Sequence, residues 1–462
     1  MVIAPMGHTH ADLVICGAGI AGVSAAYHLA RKQTGLQIAV IDERPPLSLT
    51  SDKSTECYRN WWPEPAMIRL IDRSIEWLDR WAGETGNAFG LSRRGYLYAS
   101  TSEEGGRALL ERARTISGLG AGALRVTSIA SVLPEEADPA SGAERSGPGA
   151  VYCADSGVIR AEFPYLSPET QAVLHVRRAG WLRAHELGTW LLQQAEAAGV
   201  TRLMGRLTGV DASGGAIRGV TVETAGGTLR MASPILVNAA GPFAGEVGDL
   251  AGVPLPLSWE LHLKAAFRDD QQVVPREAPL VILTDEQQLL WSEEEQALLH
   301  QSAADQALLD RLPGGAHLRP EGPAGSPYCL LLWPYHLPPV RPVFPIVPDP
   351  AYAEIAMRGM SRLIPGLRTY VARMPRTDVD GGYYTRTADN LPLIGPTPVE
   401  GFFLMAALSG FGVMASPAAG EILALEILGQ DRPTFADAYL LRRFESAAYQ
   451  EQLTHKGDAG EL

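Results

Sequence analysis

The spacing of apolar and polar positions divides the chain into a regular opening and a looser middle. Residues 11–16 (ADLVIC) form a short β-rich run, 20–33 place small and apolar residues at helical spacing, and 37–42 (QIAVID) form a second strand. Strand, turn, helix and strand within about thirty residues make a βαβ unit. Residues 66–83 carry apolar positions three and four apart and run into Gly83, which predicts an amphipathic helix. A helix is expected over 181–199, a meander of strands over 203–231, and a buried strand ending in glycine over 235–241. Residues 132–150, rich in Pro, Ala, Ser, Glu and Gly, read as a surface loop. Further on, 286–312 are polar and helical in character, and 313–350 are Pro-rich around a strand at 330–335. The pattern ends with a helix over 351–365, a strand over 402–408, a helix over 413–428 and a frayed last ten residues.

Length and composition narrow the classes. A chain of 462 residues is too long for one ordinary core and implies two domains. Hydrophobic residues at 46% and charged ones at 20% are those of a soluble globular protein. A net charge of −13 argues against nucleic acid or an anionic membrane as partner. No apolar stretch approaches the roughly twenty residues a membrane span needs. The N-terminus has no basic segment before its apolar run, so no signal peptide is expected. Cys16, Cys57, Cys153 and Cys329 form no CxxC and no Cys/His cluster, so no metal site is expected, and a reduced, cytoplasmic setting is.

The sharpest motif is Gly17-Ala-Gly19-Ile20-Ala21-Gly22. It follows a predicted strand and opens a predicted helix, the context a dinucleotide fingerprint requires. The first glycine allows a tight turn, the second lets backbone approach a pyrophosphate, and the third lets helix pack on sheet. The helix N-terminus then offers N–H groups and a positive dipole end to phosphate. Asp42 ends the second strand, where a carboxylate can accept ribose hydroxyls; Glu43 is the neighbouring alternative and Arg44 follows. The unit alone does not separate FAD from NAD. Gly118–Gly122 has suitable letters but no strand before it, so a second, NAD(P)H-binding unit is not expected, which disfavours disulfide reductases and monooxygenases.

Four blocks together resemble the FAD-dependent oxidoreductases of the D-amino-acid oxidase type, which include glycine oxidase, sarcosine oxidase and dimethylglycine dehydrogenase. They are LVICGAGIAGVSAAYHLA with VIDE, LTSDKSTECYRNWW, ILVNAAGPFAGEV, and TADNLPLIGP with ALSGFGVMASPAAGE. The resemblance implies an α/β fold: an FAD-binding Rossmann-like domain of the glutathione-reductase type, with a second, substrate domain built on an antiparallel sheet. It places the FAD domain at 1–95, 165–255 and 365–462, and the substrate domain at 96–164 and 256–364. It implies flavin contacts from Ser51, Lys53, Ser54 and Thr55 in the second block, from Leu207 through its backbone, and from Ala239, Ala240 and Gly241. In the fourth block it implies a flavin-facing Asp389 and contacts from Ser409, Gly410, Phe411, Gly412, Val413 and Met414. A helix starting near Val413 would aim its positive end at the edge of the flavin that becomes negative on reduction.

The implied reaction is oxidation of the C–N bond of a small secondary or tertiary amine or amino acid, N-methylglycine-like or proline-like, to an imine by hydride transfer to flavin N5. The partners are that substrate and either O2 or an electron-transfer partner. Alternatives are oxidation of a 2-hydroxy acid or other alcohol, and a flavoprotein subunit of an electron-transfer complex. Thr55-x-x-x-Arg59-x-x-Trp62 resembles the sarcosine-oxidase pattern in which the arginine pairs with the substrate carboxylate, and an arginine fork suits a carboxylate. Glu56 departs from that pattern, which carries an arginine there. Lys53, one of four lysines, falls in the flavin loop and is a second catalytic candidate, with Tyr384 and His262. Trp61, Trp62, Tyr335, His336, Tyr383 and Arg386 are further pocket candidates. In GGYYTRT, Gly382 stands where sarcosine oxidases carry their flavin-linking cysteine, which implies non-covalent FAD; another register puts Cys57 at a flavin-linking position. The resembling family's oxygen-activating lysine has no evident match in YCLLLWPYH.

Overall fold

The computed structural model describes residues 10–128, 149–302, 305–323 and 325–455. The expected loop at 132–150 and the frayed end therefore lie largely outside the described residues. The elements that position the site are, in chain order, β1 Leu13–Cys16, α1 Ile20–Lys32, β2 Ile38–Asp42, β3 Cys57–Arg59, α2 Pro65–Thr85, β4 Ser258–Arg268, β5 Ala316–Pro320, β6 Tyr328–Leu332, α3 Tyr352–Ser361, β7 Thr377–Arg386 and α4 Gly412–Ile427.

The βαβ unit forms as its spacing dictates. β1 lies between β2 and residues 236–238 in a six-stranded sheet, parallel to both. Strands 201–204, 402–406 and 393–396 complete that sheet, and the last pair is antiparallel. α2 has proline in its first turn and buries positions such as Met67, Leu70, Ile71, Ser74, Leu78 and Trp81, a helical stripe. It runs through Gly83 and stops at Gly86, whose left-handed φ of 62° suits the residue after a helix. α4 is apolar on all sides and is sandwiched by α1 and α2. Pro417 interrupts its ladder; Ser24 donates to Ser416 O at 2.7 Å and Ser74 accepts from Ala418 N at 3.1 Å.

A nine-stranded sheet runs in the order β7, β4, β6, β5, 280–283, 96–100, 172–176, 150–153, 124–127. The expected antiparallel sheet is thus mixed: 280–283 pairs with 96–100 in parallel, and so does 124–127 with 150–153. Its membership draws on segments expected in both domains. Strands 172–176 and β7, both expected in the FAD domain, belong to this sheet. Leu367 and Tyr370 pack with α3 into the same hydrophobic cluster. The helix expected from 181 begins at Ala184, because Trp181 is spent in a strand against Cys57. Among its described residues the segment 286–312 is helical only at Glu293–Leu299, behind a Ser292–Glu295 capping box, and at a 3₁₀ turn, Gln306–Leu309. That short helix buries none of its residues, so no apolar face extends it. Among the described residues no helix is long and apolar enough to cross a membrane, and no group of His, Cys, Asp or Glu is arranged to hold a metal.

Burial has a measurable cost at His28 in α1. Its ring meets the edges of Tyr27 and Trp77, Nε2 has no partner, and burial pushes its pKa down to about 3. His317 in β5 is lowered to about 4, again by burial first. The folded protein keeps both rings neutral while the unfolded chain takes up protons below its ordinary value of 6.5. Their contribution to stability is therefore complete above that pH and drains as pH falls towards 4 and 3. We expect a loss of about 1 kcal/mol per histidine for each pH unit below 6.5, seen as a falling urea midpoint. His28→Phe should flatten that slope; an unchanged slope would show that His28 is not the source.

Candidate active site

A trough with a volume of about 810 Å³ crosses the end of the six-stranded sheet. It is lined by Gly17, Gly19, Ile20 and Ala21 at the start of α1, by Asp42, Glu43 and Arg44 after β2, and by Ser51, Ser54 and Leu207. Ala239, Ala240 and Gly241 follow, then Ser409, Gly410, Gly412 and Val413 at the start of α4. Neither helix has a side-chain cap at its N-cap residue, so both present backbone N–H groups and a positive end to the trough. Ser51 Oγ accepts from Ile20 N at 2.9 Å and ties the flavin loop to that helix end. Asp42 is held by the N–H groups of Ala18 (2.7 Å) and Arg44 (2.9 Å), one on each carboxylate oxygen, which leaves lone pairs for ribose hydroxyls. Thr385 Oγ1 lines the trough and is buried without a partner, as expected where a polar cofactor edge belongs.

The turn into α4 is shaped against the same trough. Ala407 and Ser409 hold positive φ angles of 54° and 45°, a strained pair of the kind concentrated at functional sites. A side chain at Gly410 would overlap the Tyr384 ring. That contact brings β7 against the turn and makes Gly410 obligatory.

Ser409 and Gly410 also line a second cavity, of about 580 Å³. Arg59, Trp62, His262, Tyr335, His336 and Tyr384 all face it. Arg59 is buried, its guanidinium 4.4 Å from the Trp62 ring centroid, and Trp62 in turn meets Phe411 at 5.2 Å. This chain of contacts sets Arg59 beside the turn that closes the trough. Tyr384 stacks on His262 at 3.8 Å and 15°. His262 Nε2 lies 3.1 Å from Glu260 Oε2, and Arg386 bonds both Glu260 oxygens at 2.7 Å. Burial opposes charge on Glu260, but His262 and Arg386 outweigh it and hold the carboxyl below its usual range. A neutral ring that donates Nε2–H to that carboxylate would leave the lone pair on Nδ1.

Several expected contacts move. Lys53 lines neither cavity; its ammonium pairs with Asp380 at 2.6 Å and Asp52 at 3.2 Å, and those carboxylates raise its pKa against the cost of burial. Asp389 turns away from the trough. It binds Arg443 at 2.7 Å, Tyr449 at 2.6 Å and Thr387 at 2.6 Å, which saturates its oxygens. Gly22 lies behind the trough, where its missing side chain lets α1 pack on the Gly17 carbonyl. Thr55, Phe411 and Met414 line the second cavity and not the first. Tyr383 instead lines the trough and is fixed by Val343; Trp61 is core, and Arg386 acts through Glu260.

Three site residues escaped the sequence reading. Lys264 in β4 donates to Asp52 O (3.0 Å) and Ser54 O (3.1 Å), and burial lowers its pKa. Arg319 in β5 donates twice to Thr55 O, at 3.1 and 2.9 Å, and pairs with Glu56. Two cations of the nine-stranded sheet thus fasten the flavin loop by its carbonyls. His317 lines the second cavity; its Nδ1 lies 2.7 Å from Gly315 O, which fixes the proton there. The alternation of His262 with Lys264 and of His317 with Arg319 placed each pair on one strand face, a signal present in the sequence.

A trough between two helix N-termini, sharing Ser409 and Gly410 with an aromatic cavity that holds a buried arginine, fits a dinucleotide-dependent oxidoreductase. Comparison with known proteins agrees with this. The family model described as "FAD dependent oxidoreductase" matches residues 12–425. The beta subunit of sarcosine oxidase from Arthrobacter sp is 23% identical over 440 residues, which cover 94% of this chain and 91% of that one. Glycine oxidase from Geobacillus kaustophilus superposes with a TM-score of 0.71 at 17% identity, over 94% of this chain and 99% of that one. L-proline dehydrogenase from P. horikoshii gives 0.70 at 20%, over 94% and 98%. The chain belongs to the FAD-dependent oxidoreductase family. It is an enzyme, and its cofactor is FAD.

Proposed function

We propose that the enzyme oxidises the C–N bond of a small amino acid or amine, secondary or tertiary, to the imine. The observation that carries this reading is the buried Arg59 in a cavity that meets the FAD trough at Ser409 and Gly410. Bound FAD supplies the two-electron acceptor. The rest falls to the chain. The Arg59 fork holds the substrate carboxylate. Asn390 lines the cavity with its Oδ1 buried and unpartnered, and that oxygen accepts the N–H that a secondary amine keeps after giving up its proton. His262, steadied by Glu260, takes a proton at Nδ1. Trp62, Tyr384 and Phe411 exclude water and orient the carbon that loses hydride. Non-covalent FAD fits this arrangement: Cys57 lines the second cavity, and burial pushes its thiol up, away from the thiolate. The relatives whose printed names include sarcosine, glycine and proline support the amino-acid class.

The His262–Glu260 pair would equally serve a 2-hydroxy acid, which must lose a hydroxyl proton, so one experiment should include both classes. The purified protein is titrated anaerobically with N-methylated and cyclic amino acids and with 2-hydroxy acids, and flavin absorbance is followed. Bleaching by amines alone is the expected result. Bleaching by hydroxy acids alone would overturn the amine reading. Bleaching by none, with a flavin that dithionite reduces, would favour a subunit that only relays electrons. Admitting air to the bleached sample separates O2 from a protein acceptor.

A further inference from the structure

The substrate cavity is too large and too apolar for the smallest amino acids. Its volume of about 580 Å³ would hold roughly twenty water molecules at about 30 Å³ each. Glycine or sarcosine held at Arg59 would leave most of them beside the reacting carbon, where water should be excluded. Much of the lining beyond Arg59 is apolar or aromatic. Trp62, Tyr96, Phe411 and Met414 form one part of it, and Trp333 and Tyr335 another, on the strand and loop that α3 covers. Tyr335 stacks on Tyr352 of α3 at 6.0 Å and meets Trp333 at 5.4 Å, so this second aromatic group is built into the fold. Tyr352 Oη donates to Leu263 O, which fixes α3 against β4. Asp305 and Asp349 line the cavity only at exposed positions, so Arg59 is its buried charge, and a largely apolar volume with one buried charge suits a ligand held by apolar area and oriented by its polar end.

Resting on the function proposed above, we propose that the preferred substrate is an amino acid whose side chain or N-substituent is a large apolar group, phenyl-sized or bigger. The carboxylate sits on Arg59, and the apolar group fills the space between the two aromatic groups.

Two measurements on the FAD-loaded, full-length protein test this. Calorimetric titration with acetate, isovalerate and phenylacetate keeps the carboxylate constant, varies apolar bulk and needs no turnover. Kd is expected to tighten at least about tenfold from acetate to phenylacetate. Anaerobic flavin bleaching by sarcosine, N-methylleucine and N-methylphenylalanine is expected to quicken in that order. Leu332→Trp, which fills the cavity from β6, should remove the gain in both series. Equal binding of acetate and phenylacetate, or fastest bleaching by sarcosine, would overturn the size preference and leave amine oxidation intact. Bleaching by large 2-hydroxy acids and by no amine would overturn the function and leave the size preference. Failure of every carboxylate to bind would overturn the anchoring at Arg59 and this inference with it.

Discussion

Arg59→Ala should raise the apparent dissociation constant of a carboxylate substrate roughly 100-fold while FAD remains bound. A charge-assisted hydrogen bond contributes about 1.5–3 kcal/mol, and a bidentate fork makes two of them in a site shielded from water. The residue lies on β3, which pairs with residues 179–181, so its backbone is fixed by a ladder and not by its own side chain. Arg59→Lys keeps the charge but loses the planar fork and the stacking on Trp62, and should recover only part of the affinity. Substrate binding followed by anaerobic flavin bleaching, with FAD content checked by absorbance, reads the effect. The expected signature is a large rise in the half-saturating concentration for amino acids and almost none for the matching amines without a carboxylate. If both series weaken equally, Arg59 holds the pocket together and does not hold the substrate.

The parts legible in the sequence were those set by local rules. Gly17, Gly19 and Gly22 announced the cofactor end because turn, close approach and helix packing each demand glycine at a fixed spacing. The turn at Ser409–Gly412, which lines the same trough, was legible through the resemblance of its block. The surroundings of Asp389 and Lys53 were not legible, because a charged residue's role depends on a partner far away in the chain. Asp389 sits in a block that resembles a flavin motif, yet Arg443 and Tyr449 claim it. Lys53 is in the flavin loop, yet Asp380 draws it outward, and the buried lysine against that loop is Lys264, more than two hundred residues on. Arg319 likewise meets Thr55 only through tertiary packing. The polar stretch 286–312 misled for a different reason: helical composition without an apolar stripe has nothing to bury, and only a capped turn or two persists.

Gly22→Ala should yield protein that is folded but retains less than about one tenth of its FAD, a loss of at least 1.4 kcal/mol in cofactor binding. A methyl group at Gly22 would overlap the carbonyl oxygen of Gly17. That turn has no room to retreat. Gly17 holds a φ of 109°, and a side chain there would overlap the Ala239 carbonyl, so it is gripped between α1 and the strand end that also lines the trough. The strain must therefore be relieved by α1 moving off the sheet, which carries its N-terminus away from the trough where a pyrophosphate would bind. The same displacement breaks the bond from Ile20 N to Ser51 and loosens the flavin loop. Far-UV circular dichroism and the flavin absorbance of the purified variant distinguish cofactor loss from unfolding. Gly83→Ala is the matched control: that position in α2 faces open space and should gain about 1 kcal/mol of helix stability with FAD retained. A yellow Gly22→Ala protein with wild-type FAD content would mean that α1 tolerates the shift, and that cofactor binding rests more on the Ala239–Gly241 and Ser409–Val413 segments than on the fingerprint glycines.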